Sequence, residues 1–196
     1  YDRVNNEQRE IIYAERRRVL DGESMRDVIY KMINETAERL VSTCISDEQS
    51  PEEWDMNELN QLVLPVFPMA PITLTAEQMK HIKKDNLVQQ VKEAAVKLYE
   101  AKEAEFPEPE HLREVERVIL LKVIDRKWMD HIDDMDQLRQ GIGLQAYGQR
   151  DPVTEYKFMG FDMFDAMTEA IYEDTVKALL HVRIEQNVER EQVAKV

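Results

Sequence analysis

The sequence predicts a mainly α protein: a long helix interrupted near Gly22, packed with an antiparallel two-helix hairpin, plus a small inserted helical module. Three observations support this. Apolar residues recur at steps of three or four along two long stretches that flank one glycine-bearing turn. Five glycines, seven prolines and 34% charged residues suit helices, and strand-like sequence is scarce. A length of 196 residues with 43% apolar side chains is enough for one or two compact units with a real core.

Residues 2–20 form the first helical stretch, with Val4, Ile11, Ile12, Val19 and Leu20 as apolar positions and Glu/Arg pairs between them. Asp21 to Ser24 interrupts it. Ser24, with Asp27 three residues on, resembles a capping arrangement. Apolar doublets at Val28/Ile29, Met32/Ile33 and Leu40/Val41 then continue a second helix to about Ile45. From Ser46 the chain turns acidic and turn-rich, and Pro65, Pro68 and Pro71 exclude a regular helix between Val63 and Thr73. Thr75 can cap a helix from Ala76 to about Glu105, which Phe106 to Pro109 stops. Residues 46–108 therefore form a separate small unit between residues 1–45 and the hairpin of residues 109–182, and a polar tail follows at 183–196.

The first arm of the hairpin carries its apolar line at Leu121, Ile124, Trp128, Ile132, Met135, Leu138 and Ile142. Asp151 can accept hydrogen bonds from the free amides of a new helix, and Pro152 suits its first position because the missing N–H had no partner there. The stripe of this second arm is Val153, Tyr156, Gly160, Met163, Met167, Ile171, Ala178 and Val182, widened by Phe164 and Leu179. The two stripes should face each other, and an arm of roughly 30 residues extends about 45 Å. Between the arms, Gly141, Gly143 and Gly148 keep the backbone permissive, and Leu144 and Tyr147 have no place in either stripe, so they should project outward. Such a turn is either a contact surface or a plain connector.

The charge of −14 is spread unevenly: −1 over residues 1–45, −7 over 46–113, −6 over 114–182, and zero in the tail. Nucleic-acid binding needs lysines and arginines that displace counterions from phosphates, so this balance argues against a DNA or RNA partner. Arg16 to Arg18 is the one basic run, and it reads as a solvated face or a domain contact. Cys44 is alone, so no internal disulfide and no cysteine-based zinc site can form, which fits a reducing compartment. No apolar run reaches the ~20 residues needed to span a bilayer and no leader segment is apparent, so any membrane association would be peripheral.

No phosphate loop ends in Lys-Ser or Lys-Thr, and Gly141 to Gly148 lacks the spacing and the preceding strand of a dinucleotide site. Asp130, His131, Asp133, Asp134 and Asp136 resemble metal ligands in composition, yet helical angles scatter them, with just His131 and Asp134 near one face. A charged outer face is the favoured reading, with neither a catalytic residue nor a metal assigned. His81, His111 and His181 have no Ser or Cys neighbour in sequence that would suggest a relay.

Asp125, Trp128, His131, Met135, Asp136, Leu138, Arg139, Gly141, Ile142, Tyr147, Gln149, Asp151, Pro152, Glu155 and Tyr156 together resemble the C-terminal region of the SecA family, the motor ATPases of bacterial protein export. Tyr1, Asp2, Val4, Asn6, Gln8, Arg9, Ile12, Tyr13 and Arg16 are similar to that family's long scaffold helix. Residues 46–108 occupy the place of its helical wing. Met159 to Phe161 and Ile184 to Glu191 are similar to the family in Gram-positive bacteria in particular.

The resemblance implies a helical scaffold that joins nucleotide-binding and preprotein-crosslinking domains of the same polypeptide. It also implies a two-helix finger whose tip meets the preprotein, signal sequence included, at the cytoplasmic mouth of the SecY channel. Leu144, Gln145, Tyr147, Gln149 and Arg150 would be the fingertip. An aromatic ring with a hydroxyl, as at Tyr147, can touch many side chains without sequence preference. Trp128, Ile132, Met135, Leu138, Met163, Phe164 and Met167 would pack the finger and restrain ATP hydrolysis elsewhere. ATP and magnesium would be bound by other parts of the parent protein, on the cytoplasmic face of the plasma membrane, and this portion alone would not be an enzyme. Two departures weaken a basic tip: the family often has histidine at Gly143 and arginine at Gln145. The alternative reading is a free-standing hairpin adaptor that binds a partner protein through its tip, and a metal hydrolase built on the His131 region is a third.

Overall fold

The computed structural model describes residues 1–22, 24–145 and 151–184. About 80% of the structure is helical, with no strand among the described residues. Helix α1 (Asp2–Leu20) ends at Asp21, whose N–H donates to the Arg17 carbonyl at 2.8 Å. Gly22 follows at φ +86°, a left-handed conformation that a side chain would strain, so the chain breaks here and restarts as α2 (Met25–Cys44). Ser24 sits at the N-cap of α2 but makes no side-chain cap bond, so the capping arrangement anticipated with Asp27 does not form.

A 3-10 turn (Pro51–Glu53) and α3 (Met56–Val63) come next, the latter capped by Asp55, which accepts from the Glu58 N–H at 3.0 Å. The proline-bearing segment after α3 is irregular, as its composition requires. It is held by the buried Val66, Phe67 and Ile72 and by Asn60, which donates to the carbonyls of Met56 (2.9 Å) and Ile72 (3.0 Å) and accepts from the Ile72 N–H at 2.7 Å. The single helix expected from Ala76 to Glu105 is instead two. Thr75 caps the four-residue α4 (Ala76–Met79), and α5 (Lys84–Ala104) begins anew because Asn86 takes up the Lys83 N–H at 2.9 Å. Asn bonds locally to backbone in preference to continuing a helix, and that tendency wins here.

Helix α6 (Pro109–Gln145, 37 residues) and α7 (Pro152–His181, 30 residues) form the antiparallel hairpin and make the most extensive helix contact of the fold. Asp151 caps α7, accepting from the Val153 N–H at 3.3 Å and the Thr154 hydroxyl at 2.7 Å, with Pro152 at the first helical position as expected. α2 lies against α5, α7 and α3. Ile29, Ile33, Leu40, Leu59, Phe67, Leu87, Tyr99, Leu112 and Leu179 lie in one continuous core with the upper part of the hairpin at Ile124, Trp128, Met167 and Ile171. A second, smaller cluster of Met135, Ile142 and Tyr156, with Tyr1, Val4, Leu138 and Met163 packed against it, occupies the hairpin nearer its turn.

A buried polar cluster ties α5 to the start of α6. The Tyr99 hydroxyl donates to the fully buried Glu116 carboxylate at 2.5 Å, and Arg113 donates to Tyr99 at 2.8 Å, to Glu116 and to Glu103. Arg26 of α2 reaches Glu103 at 3.2 Å, and Lys102 donates to the Val182 carbonyl at 2.7 Å, closing the end of α7. Burial pushes the Glu116 carboxyl up from its ordinary range against the opposing pull of its Tyr99 and Arg113 bonds. Partial burial would also raise Glu103, but hydrogen bonds from Arg113 and Arg26 outweigh it and hold that carboxyl low.

Two predictions follow from this packing. Trp128→Ala, which empties a buried site on the α6–α7 seam, should cost roughly 3–5 kcal/mol in urea unfolding; an unchanged midpoint would mean that the indole contributes no packing. Arg113→Met should cost roughly 3–5 kcal/mol at neutral pH, because it leaves the Glu116 charge buried and unpaired. A carboxyl raised in the folded state binds protons more tightly there than when unfolded, so its penalty shrinks as pH falls through the raised value. The part of the Glu103 contribution that comes from Arg113, lost at low pH in the native chain, is also already missing in the variant, while Arg26 still pairs with Glu103. The deficit should therefore narrow on acidification, and a deficit that stays constant or widens would contradict the assignment.

Candidate functional site

The hairpin is the element to which a contact role attaches, and its geometry is set where it crosses α1. On the apolar line of α6 the structure buries Ile124, Trp128, Met135 and Ile142, with Leu121 and Leu138 half-buried. Ile132 departs from the expected line: it is 38% exposed, and His131, anticipated on a charged outer face, takes its place at 4%. The reason is angular. The inward positions run 124, 128, 131, 135, 138, 142, and a search for apolar residues alone chose the neighbour of the one polar residue in the row. Asp130, Asp133, Asp134 and Asp136 do lie on the exposed side. Among the described residues no group of three or more His, Cys, Asp or Glu side chains is placed to hold a metal ion.

On α7, Tyr156, Gly160, Met167, Ile171 and Leu179 are buried and Met163 and Phe164 half-buried, whereas Val153 and Ala178 are exposed. Past Ile171 the inward row continues through Thr175, Val176, Leu179 and Leu180, so the buried face turns away from Ala178, although a step of seven returns to within about 20° of Ile171. Trp128, Phe164 and Met167 thus meet in the larger core, and Met135, Leu138 and Met163 in the smaller cluster. Ile132 belongs to neither.

Between these two apolar clusters lies a polar junction of three helices. Gln8 of α1 is 7% exposed; its side-chain N–H donates to the Gly160 carbonyl of α7 at 3.0 Å, and its oxygen lies 2.7 Å from His131 Nε2 of α6. A carbonyl can only accept, so the amide nitrogen must face Gly160 and the amide oxygen must face His131. That assigns the hydrogen to Nε2. Burial lowers the His131 pKa, with Asp134 opposing, which favours the neutral ring, and in that form the hydrogen donated to Gln8 makes it the Nε2–H tautomer. The imidazole lies against Trp128, tilted at 5.5 Å between centroids, and edge-on to Phe164 at 5.8 Å.

Gly160 permits the crossing: a Cβ there would stand 2.7 Å from Met135 Cε. Nearer the turn, the buried Tyr156 donates to Asn5 Oδ1 at 2.7 Å and meets Tyr1 edge-on at 4.7 Å, while Arg139 stacks over Tyr1 at 4.8 Å. Arg16 pairs with both oxygens of Asp125 at 2.9 and 3.2 Å, and Arg18 pairs with Glu15 at 2.8 Å, so the basic run is one interhelical contact plus a solvated pair. Gln8 and Asn5 were not anticipated as joints. The available signal was Gly160, a glycine deep in a helical stripe, where its cost of ~1 kcal/mol against alanine marks close approach.

At the turn, Gly141 and Gly143 lie within α6, which continues to Gln145, so they do not form the bend. Leu144 is 82% exposed, pointing outward as expected. The side chain of Gln145 and residues Tyr147, Gly148, Gln149 and Arg150 lie outside the described residues. No described helix is long and apolar enough to cross a membrane.

Comparison with known proteins gives these features a family. The sequence model of the SecA wing and scaffold domain matches residues 1–183. Over its whole length the chain is similar to the protein translocase subunit SecA of Lachnoclostridium phytofermentans, at 73% identity, and covers 23% of that protein. Protein translocase subunit SecA 1 of Alkaliphilus metalliredigens is 50% identical over 195 residues and SecA of Acetivibrio thermocellus 43% over 198, each with 22% of its length covered. The chain thus spans less than a quarter of the length of these relatives, which come from Gram-positive bacteria, as Met159 to Phe161 suggested. With all but the last residues of the chain inside the match, this chain belongs to the SecA wing and scaffold domain family.

Proposed function

We propose that this chain is the wing and scaffold portion of an ATP-driven protein translocase, and that its α6–α7 hairpin is the finger that contacts the moving preprotein. In this reading residues 1–45 are the long-helix part of the scaffold, 46–108 the helical wing, 109–182 the finger and 183–196 a polar tail. Nucleotide and magnesium are bound by other domains of the same polypeptide, and the fingertip works at the SecY channel on the cytoplasmic face of the membrane. The observation that carries the proposal is the hairpin itself: an apolar seam braced along its length by α1, with Leu144 in solvent beyond the last of these contacts.

The fingertip set is Leu144, Gln145, Tyr147, Gln149 and Arg150. The seam that transmits force and restrains ATP hydrolysis is Trp128, Met135, Leu138, Met163, Phe164 and Met167; Ile132, pointing to solvent, is left for a contact with another domain. α1 accompanies the hairpin past His131 as far as Arg139 and Tyr156, so a tip contact would act on α1, as a lever does, through these residues as well as at the His131 junction.

Tyr147→Ala in the intact translocase should impair export while leaving the melting temperature unchanged, since an outward tip residue buries little. A photocrosslinker at position 147 should trap a stalled preprotein. Equal loss of melting temperature and transport, or crosslinks confined to the translocase's own domains, would contradict the tip assignment.

A further inference from the structure

The junction at Gln8 carries more than stability. Of the 19 residues of α1, just Gln8, Ile12 and Val19 are buried, and the first of these is an amide set between two apolar clusters. An unbranched apolar side chain would fill that space without any need for partners, whereas a buried amide must satisfy both ends or lose more than it gains. Here both ends are satisfied, one on each arm of the hairpin: the oxygen on His131 of α6 and the nitrogen on the Gly160 carbonyl of α7. Apolar packing tolerates sliding. Two directional bonds from one side chain do not, and fixing register is the best-attested use of a buried polar group.

We propose that Gln8 is a positioning residue that sets the register of α1 against both arms of the finger, so that movement of the long helix reaches the tip as rigid motion. A slip of one residue along α7 turns the accepting carbonyl by about 100° around the helix and removes the partner. At Gly160 a Cβ would stand 2.7 Å from Met135 Cε, so the methionine tip would have to shift, and 3.7 Å from Gln8 Nε2, an ordinary contact that leaves the carbonyl within reach of the amide. The imidazole must also keep its hydrogen on Nε2. Its packing between Trp128 and Phe164 holds the ring plane in which that nitrogen faces α1. The consequence for transport rests on the finger reading given above; the register claim does not.

The test uses the full-length polypeptide, with spin labels attached through genetically encoded, cysteine-independent residues at exposed Glu10 of α1, paired in turn with exposed Gln140 of α6 and Asp162 of α7. The parent should give one narrow distance for each pair, and nitrogen-15 NMR should find His131 in its Nε2–H tautomer. Gln8→Met keeps the volume and removes both bonds; Gln8→Glu can still accept from His131 but cannot donate to Gly160. Both should broaden or split the Glu10–Asp162 distance, and Gln8→Met, which leaves the buried His131 Nε2–H without its acceptor, should also lower the melting temperature. Trp128→Ala should lower the melting temperature with the distances still narrow. An Nδ1–H tautomer of His131 in the parent would overturn the proposal. Narrow, unshifted distances in the Gln8 variant or variants that fold would do the same. Should Gln8→Met lose register and export remain undiminished, the register role stands and the lever reading of the finger fails.

Discussion

A pair of helices 37 and 30 residues long can hold its turn clear of the globule only while the seam between them is continuous and its root cannot pivot. Isolated helices gain little from propensity alone, and nearly all of the order in such an arm comes from its tertiary contacts. Here the seam runs from Ile171 and Ile124 through Trp128, Met135 and Met163 to Ile142 and Tyr156, and α1 runs along it from Arg16 beside Asp125, through Gln8 beside His131, to Tyr1 beside Arg139 and Tyr156. The core of α2, α3 and α5 anchors one end, the small cluster around Tyr156 supports the other, and the polar junction between them prevents the arm from sliding.

The polar contacts differ in what they can do. Arg16 and Asp125 are well aligned yet about half exposed, so their pairing contributes modestly and is screened by salt. Gln8 and His131 are buried, and directionality there matters more than gross strength. Glu116, Arg113 and Tyr99 are different again: a buried charge compensated by neighbours that also link α5 to α6 beside the Phe106–Pro109 connection. The chain therefore fixes two angles with two polar devices, one between α1 and the α6–α7 hairpin and one between α5 and α6.

Much of the fold was legible because it depends on local rules. Gly22, Asp151, Pro152 and the prolines after Leu64 punctuate the chain where their backbone chemistry requires. The misplacements share a cause. Ile132 was preferred to His131, and Ala178 to Thr175, because hydropathy was followed where the inward row includes polar side chains. His131 is buried because Gln8, 123 residues away, satisfies it. The break between α4 and α5 turns on one Asn86 side chain, and the segment after α3 in part on Asn60, and no periodicity reports either bond. Of the candidate site, the outward Leu144 and the facing stripes were accessible from sequence, whereas the joint with α1 required coordinates.

Membership in the SecA wing and scaffold family sets this architecture beside relatives of which the chain spans less than a quarter. Hydrogen exchange along the hairpin tests the central claim most directly. Amides of α6 from Trp128 to Met135 and of α7 from Tyr156 to Met167 should exchange as slowly as the α2 core from Ile29 to Val41, with protection falling off only beyond Ile142. Rapid exchange throughout both arms, with protection confined to α2 and α5, would show that the seam is not a standing structure and that the arm has no fixed root.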